Sequence, residues 1–208
     1  EEFKPVLRRE MEVYAGFMEY TDHHVGRIFD FLEKLNIMDD TLIYYIIGDN
    51  GASAEGSFNG CYNEMSYFNG LQALETAEYL TERLDKLGGP ESYNHFAVGW
   101  AHAMNTPYQW TKQVASHWGG TRNGTIVHWP KGIQAKGEVR TQFSHVIDVA
   151  PTILEAAGIP QPESVDGITQ DPIDGTSMLS TFNDANAPEV HDTQYFEVMG
   201  NRAIYHKG

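Results

Sequence analysis

Long apolar runs are missing from this sequence. No stretch approaches the ~20 apolar residues that a helix needs to cross a bilayer, so no membrane span is expected. Cysteine is almost absent: Cys61 stands alone, which rules out an internal disulfide. Cations are scarce, with 14 Lys and Arg against 29 Asp and Glu and a net charge of −15. Nucleic acid is therefore a poor partner, because neutralising phosphates takes clustered Lys and Arg. A small anionic substrate stays compatible, since a few local cations can override a global field. Internal repeats and low-complexity segments are missing too.

What is present is enough to fold. The chain has 208 residues, 41% hydrophobic and 12% aromatic, which supports one domain of ordinary size or a domain with a small appendage. It begins with Glu1 rather than Met, shows no signal peptide, opens inside a helical pattern and stops just after a strand-like segment. A fragment of a longer protein is expected.

Residues 5 to 36 read as one helix. Leu7, Met11, Tyr14, Met18, Thr21, Val25, Ile28, Leu32 and Leu35 recur at spacings of four and three, widened by Phe17, His24 and Phe31. That face is too wide for a coiled-coil seam, so a helix lying on a sheet is expected, with Gly26 marking close packing. Residues 41 to 47 form a nearly unbroken apolar run that reads as a strand buried on both faces, hence a parallel sheet. A second helix is predicted over 70–87 and ends at Gly88-Gly89-Pro90. Residues 91–123 are irregular and rich in aromatics, His and amides, as functional loops are. Thr125 to Trp129 is a second short buried strand, and Val139 to Phe143 a lesser extended segment. Ser144 to Ala157 is a helix with Asp148 at its N-cap and Pro151 in its first turn. Residues 160–176 are loop, a short helix follows near Ser177–Phe182, and Thr193–Val198 and Ala203–His206 are strands around a turn.

Two constellations could carry chemistry. At the end of the first strand, Gly48-Asp49-Asn50-Gly51 places a carboxylate and an amide where open α/β sheets bind ligands. Their oxygens suit a hard cation such as Ca²⁺ or Mg²⁺ better than Zn²⁺, although Asp-Asn-Gly also makes an ordinary tight turn. Two adjacent ligands cannot complete a calcium shell, so others must come from elsewhere. The second constellation runs from Lys112 through His117, Gly119 and Gly120 to Arg122. Its ammonium and imidazole suit an oxyanion and its glycines allow close backbone approach, although a basic surface loop would look the same. The remaining histidines, His23, His24, His95, His102, His128 and His145, lie at no zinc-type spacing and read as packed or surface residues. His145 and Asp148 read as a helix cap.

Four blocks carry a resemblance: Tyr14-Ala15-Gly16-Phe17 to Asp22-His23-His24-Val25-Gly26-Arg27; Ile46 to Ser53; Thr106 to Asn123; and Ser144 to Leu154. Through them the chain resembles the sulfatase family of the alkaline phosphatase superfamily, specifically the large bacterial arylsulfatases. The resemblance implies an α/β fold: a partial three-layer sandwich with a mostly parallel sheet flanked by helices. Residues 1–190 would be the second half of that core and residues 191–208 the start of a small antiparallel C-terminal subdomain. It implies that Asp49 and Asn50 supply two ligands to one divalent cation, usually Ca²⁺. It implies that Lys112 contacts the sulfate group and leaving oxygen, with His117 a second candidate. The family's nucleophile is a hydrated formylglycine made from a Cys/Ser-x-Pro-x-Arg motif. Cys61, followed by Tyr62-Asn63-Glu64-Met65, does not match it. That motif and the remaining metal ligands would lie upstream.

The implied function is hydrolysis of aryl or carbohydrate sulfate esters by the parent protein, with the fragment inactive alone. A phosphate or phosphonate monoester hydrolase of the same superfamily, or a non-catalytic binding domain, are the alternatives. If Asp49 and Asn50 are half a ligand set, calorimetric titration of the isolated chain with Ca²⁺ will show weak or no binding. Tight binding would mean that the chain completes its own site.

Overall fold

The computed structural model describes residues 1–48 and 50–208. They form two compact units. One comprises Glu1–Phe31, Gly48–Gly124 and Glu197–Asn201, and the other Leu32–Ile47, Thr125–Phe196 and Arg202–Gly208.

The first unit is built on α1 (Lys4–Lys34), close to the predicted helix. Its buried face is not the predicted one. Val6 and Glu10 are buried and Val13 packs beside them, one residue round from the apolar stripe, whereas Phe17, Ile28 and Phe31 are exposed. The helix packs there on Tyr62, Leu80 and Leu87 rather than on a sheet. The close packing expected at Gly26 is absent, since a Cβ there would meet nothing within 4 Å. The loop after residue 51 contains a short helix, α2 (Glu64–Phe68), started by the Asn63 side chain accepting from the Met65 N–H.

The helix predicted over 70–87 is broken. Only α3 (Ala77–Thr81) is α-helical, between single 3₁₀ turns at Gln72–Leu74 and Leu84–Lys86. Thr76 restarts the chain by accepting the Tyr79 N–H on its hydroxyl. The Arg9 guanidinium then donates to the Leu84 and Leu87 carbonyls, acceptors that the end of a helix over 70–87 would also have left without an internal partner. Leu80 and Leu87 are buried by this arrangement, and Leu71 and Leu74 are exposed. The aromatic loop that follows holds α4 (Val98–Asn105) and the single turn α5 (Trp118–Thr121).

Glu10 is a charge-capable group in this core, 1% exposed. One carboxyl oxygen accepts the Ala97 N–H at 3.0 Å, and Oε1 has no partner. Gly60 lies against it so closely that a Cβ would overlap the carboxyl. Burial pushes its pKa from the ordinary 4.5 to about 8, opposed only partly by the Ala97 hydrogen bond.

In the second unit, β1 (Ile43–Ile46) pairs antiparallel with β2 (Thr125–His128), Tyr44 opposite Val127 and Tyr45 opposite Ile126. The expected parallel sheet is therefore not shown by this pair, which is compatible with part of an α/β fold. A parallel neighbour must be delivered by a crossover, and the chain leaving β1 instead returns as β2 in the opposite sense. A two-stranded ribbon also cannot cover both of its faces, so Ile46, Ile47 and Ile126 stay exposed where burial was expected. Mixed helix and strand content holds, but every sheet among the described residues is a two-stranded pair.

Asp148 organises the rest of this unit. Val146–Asp148 is a 3₁₀ turn leading into α6 (Val149–Ala157), which ends at Gly158 with φ +65°. Asp148 sits at the N-cap of α6, but its carboxylate reaches elsewhere. It accepts the His145 N–H at 2.7 Å in a capping box, the Thr176 N–H at 2.8 Å, and His191 Nδ1 at 2.8 and 2.9 Å. Residues 139–143 form no strand, because Arg140 donates to the Thr181 and Phe182 carbonyls and ties that segment to the turn Leu179–Thr181. The loop at 160–176 hides a small hairpin, β3 (Ser164–Val165) and β4 (Ile168–Thr169), turned by Asp166-Gly167 with both φ positive. The last strands, β5 (Thr193–Val198) and β6 (Asn201–His206), pair around Met199-Gly200.

The Glu10 site has a consequence for stability. The folded state holds a proton that the unfolded chain gives up near pH 4.5, so stability falls as pH rises from about 4.5 to about 8. Glu10→Gln removes this ionisation and is expected to flatten that slope, worth on the order of 3 kcal/mol between its ends. Urea unfolding at pH 5 and pH 8 tests it, and equal slopes in both proteins would refute the neutral buried carboxyl.

Candidate active site

The site is assembled by backbone contact between two loops of the first unit. Gly51 donates its N–H to the Gly120 carbonyl at 3.3 Å, and Lys112 donates its N–H to the Ala52 carbonyl at 3.0 Å. Gly51 and Gly119 meet so tightly that a Cβ on Gly51 would collide with the Gly119 carbonyl oxygen, and one on Gly119 with the Gln109 and Trp110 carbonyls. Asn105, the last residue of α4, clamps the junction. Its Oδ1 accepts the Ala52 N–H at 3.0 Å and its Nδ2 donates to the Trp110 carbonyl at 2.9 Å. The loop after β1 and the Lys112–Gly120 loop, sixty residues apart in sequence, are thus fixed side by side.

Of the four residues singled out, Asp49 lies outside the described residues. Asn50 is exposed, and the Asn123 amide bridges its backbone, donating to the carbonyl at 3.0 Å and accepting the N–H at 3.2 Å. Lys112 is part-buried beside residues 52–55. His117 stands at the start of α5, with Nδ1 2.9 Å from the Ser116 hydroxyl and its ring 5.7 Å from that of Trp110. Its side-chain contacts lie within its own loop.

The residue that sequence reasoning missed is Glu55. Its carboxylate takes Lys112 Nζ on both oxygens, at 3.2 and 3.1 Å, Gln113 Nε2 at 3.0 Å and the Ser53 hydroxyl at 2.7 Å. The Ser53 hydroxyl, and after it the Lys112 ammonium, hold this carboxyl below its ordinary range against a partial burial that pulls upward. A signal was available: Glu55 follows Asp49 by six residues on one loop, and a part-buried lysine needs a counter-charge. Ser53, Glu55, Tyr67, Lys112 and Gln113 line a small cavity of about 90 Å³. Lys112 also borders a larger hollow of about 640 Å³ with Val98, His102, Trp110 and Val114, a volume suited to a small organic ligand.

The metal-binding expectation meets a donor set of the right chemistry. Asp49 and Asn50 offer a carboxylate and an amide oxygen, which match a hard dication. Among the described residues, no three His, Cys, Asp or Glu gather into a metal-holding group. Cys61 is a poor nucleophile as it stands. It is buried, and burial pushes its thiol pKa to about 12, so its thiolate is scarce at neutral pH.

Comparison with known proteins gives the class. The sulfatase family profile matches residues 1–159, and the chain belongs to the sulfatase family. It is 31% identical over 164 residues to an uncharacterised sulfatase of Schizosaccharomyces pombe, covering 77% of this chain and 27% of that protein. It is 27% identical over 190 residues to the arylsulfatase of Klebsiella aerogenes, covering 91% of this chain and 37% of the other. To human steryl-sulfatase it is 30% identical over 158 residues, covering 74% and 20%. The chain thus spans between a fifth and just over a third of these curated relatives.

The loop junction makes its own prediction. A carbonyl oxygen cannot yield as a flexible side chain does, so Gly51→Ala must part the two loops. It is expected to cost roughly 2 kcal/mol or more in chemical unfolding. An unchanged unfolding midpoint would contradict the close approach.

Proposed function

We propose that the protein containing this chain hydrolyses sulfate esters of aryl or carbohydrate alcohols, with a divalent cation, Ca²⁺ or Mg²⁺, at Asp49 and Asn50. The reading is supported by membership of the sulfatase family and by one observation above all. The Lys112 N–H to Ala52 carbonyl hydrogen bond holds the lysine's backbone against the chain two residues after Asn50, which supports a shared site.

Sulfate-ester cleavage moves negative charge onto the leaving oxygen and keeps it on the sulfuryl oxygens. Lys112 supplies N–H donors and a full positive charge to those oxygens, in a part-buried position where each interaction counts for more than in bulk water. His117, on the same loop, would donate a proton to the leaving oxygen. When bound, the cation would act as a Lewis acid on the sulfate oxygens. The Asn123 bridge fixes the Asn50 backbone, which supports a ligand role for the Asn50 side chain. The nucleophile is assigned to formylglycine outside these residues, since Cys61 is buried and lies in no matching motif.

In the whole protein, Asp49→Ala should lose bound metal and 4-nitrophenyl sulfate turnover together, by about a hundredfold or more for turnover. Elemental analysis and a chromogenic assay measure the two. Full turnover in the metal-free variant would sink the assignment, and faster turnover of 4-nitrophenyl phosphate than of the sulfate by the wild type would move the protein to the phosphate branch.

A further inference from the structure

We infer that Glu55 is a positioning residue for Lys112, holding one side of a swivelling ammonium so that its remaining N–H bonds face outward; this rests on the reading of Lys112 as a substrate-contacting group. An ammonium has three N–H bonds and no fixed orientation of its own. Nζ of Lys112 lies 3.2 and 3.1 Å from the two oxygens of Glu55, so the carboxylate grips one side of the ammonium. The N–H bonds on the opposite side are left for a substrate oxygen.

The carboxylate is itself immobilised. Gln113 Nε2 holds Oε1 at 3.0 Å and the Ser53 hydroxyl holds Oε2 at 2.7 Å, so each oxygen carries one neutral donor besides the ammonium. The Ser53 oxygen in turn accepts the Glu55 N–H at 3.3 Å, closing a local ring. A carboxylate tethered in this way cannot follow the ammonium toward an incoming sulfate. It fixes where the charge sits and leaves the substrate to meet it there. The burial of the pair sets it apart from ordinary surface ion pairs. Its side chains are 33% and 20% exposed, whereas Lys86–Glu91, at 2.5 Å, is 55% and 60% exposed.

The two carboxyl-bearing parts of the loop then divide the work. Asp49 serves the cation and Glu55 serves the lysine, six residues apart on one segment. Losing Glu55 leaves an ammonium that still attracts a sulfate in the ground state but is no longer aimed at the charge developing in the transition state. The loss should fall on kcat rather than on KM.

The test uses the whole protein and 4-nitrophenyl sulfate. Glu55→Gln is expected to lower kcat roughly tenfold with little rise in KM. In a Lys112→Met background the same substitution should add nothing, because Glu55 acts only through the lysine. Millimolar formate should restore part of kcat to Glu55→Ala by entering the cavity beside Ser53, Tyr67 and Gln113. Glu55→Asp, which keeps the charge, provides a second variant should the others fold poorly, and it should fall between wild type and Glu55→Gln. Equal losses from Glu55→Gln with and without Lys112, or no loss at all while Lys112→Met is impaired, would overturn the positioning role and leave Lys112 in place. Full kcat in Lys112→Met would instead overturn the reading of the lysine itself.

Discussion

The candidate site depends on two glycine backbones lying closer than any side chain allows. Gly51 follows Asn50 and Gly119 lies near the end of the lysine loop, and a Cβ on either would strike a carbonyl. With that contact made, the Gly51–Gly120 and Lys112–Ala52 hydrogen bonds form and Asn105 seals the junction. Both loops are otherwise irregular, with few regular partners to hold them. Their mutual backbone pairing substitutes for a secondary-structure scaffold, and the lysine inherits its position from it. The polar groups of a functional loop are satisfied here by another functional loop.

The chain treats its buried carboxyls in opposite ways. Asp148 is fully buried and fully satisfied, by two backbone N–H groups and His191, and it joins the start of α6 to residues 176 and 191. Glu10 is as deeply buried but has one hydrogen bond and an orphan oxygen, so it stays neutral far above its ordinary range. The first is a strong cross-link and the second a burden that grows with pH. Glu55 falls between them. It is part-exposed and ionised, and each of its oxygens has two partners, which suits a group that keeps its charge at the surface of a cavity.

Much of the local structure was legible in the residues. The α1 pattern, the His145–Asp148 cap, the Gly158 stop and the terminal hairpin follow from periodicity and turn chemistry, which act over a few residues. The same local rules miscarried where packing overruled them. Leu71 to Leu87 has helical spacing, yet the chain is interrupted at the Thr76 cap and falls into short turns, with the Arg9 guanidinium taking up the Leu84 and Leu87 carbonyls. Asp166-Gly167 was a legible hairpin signal obscured by the Pro- and Asp-rich sequence around it.

The sequence by itself determined that Asp49, Asn50, Lys112 and His117 carry side chains suited to a cation and an oxyanion, and that the chain is of the sulfatase kind. Side-chain chemistry and motif order are one-dimensional properties and survive without a fold. Only the tertiary structure decided which face of α1 is buried, that β1 pairs antiparallel with β2, and that Glu55 is the partner of Lys112. Each of those depends on which distant segment arrives alongside. An apolar run does not encode the direction of its neighbour, and a lone glutamate in a loop does not encode a lysine 57 residues away.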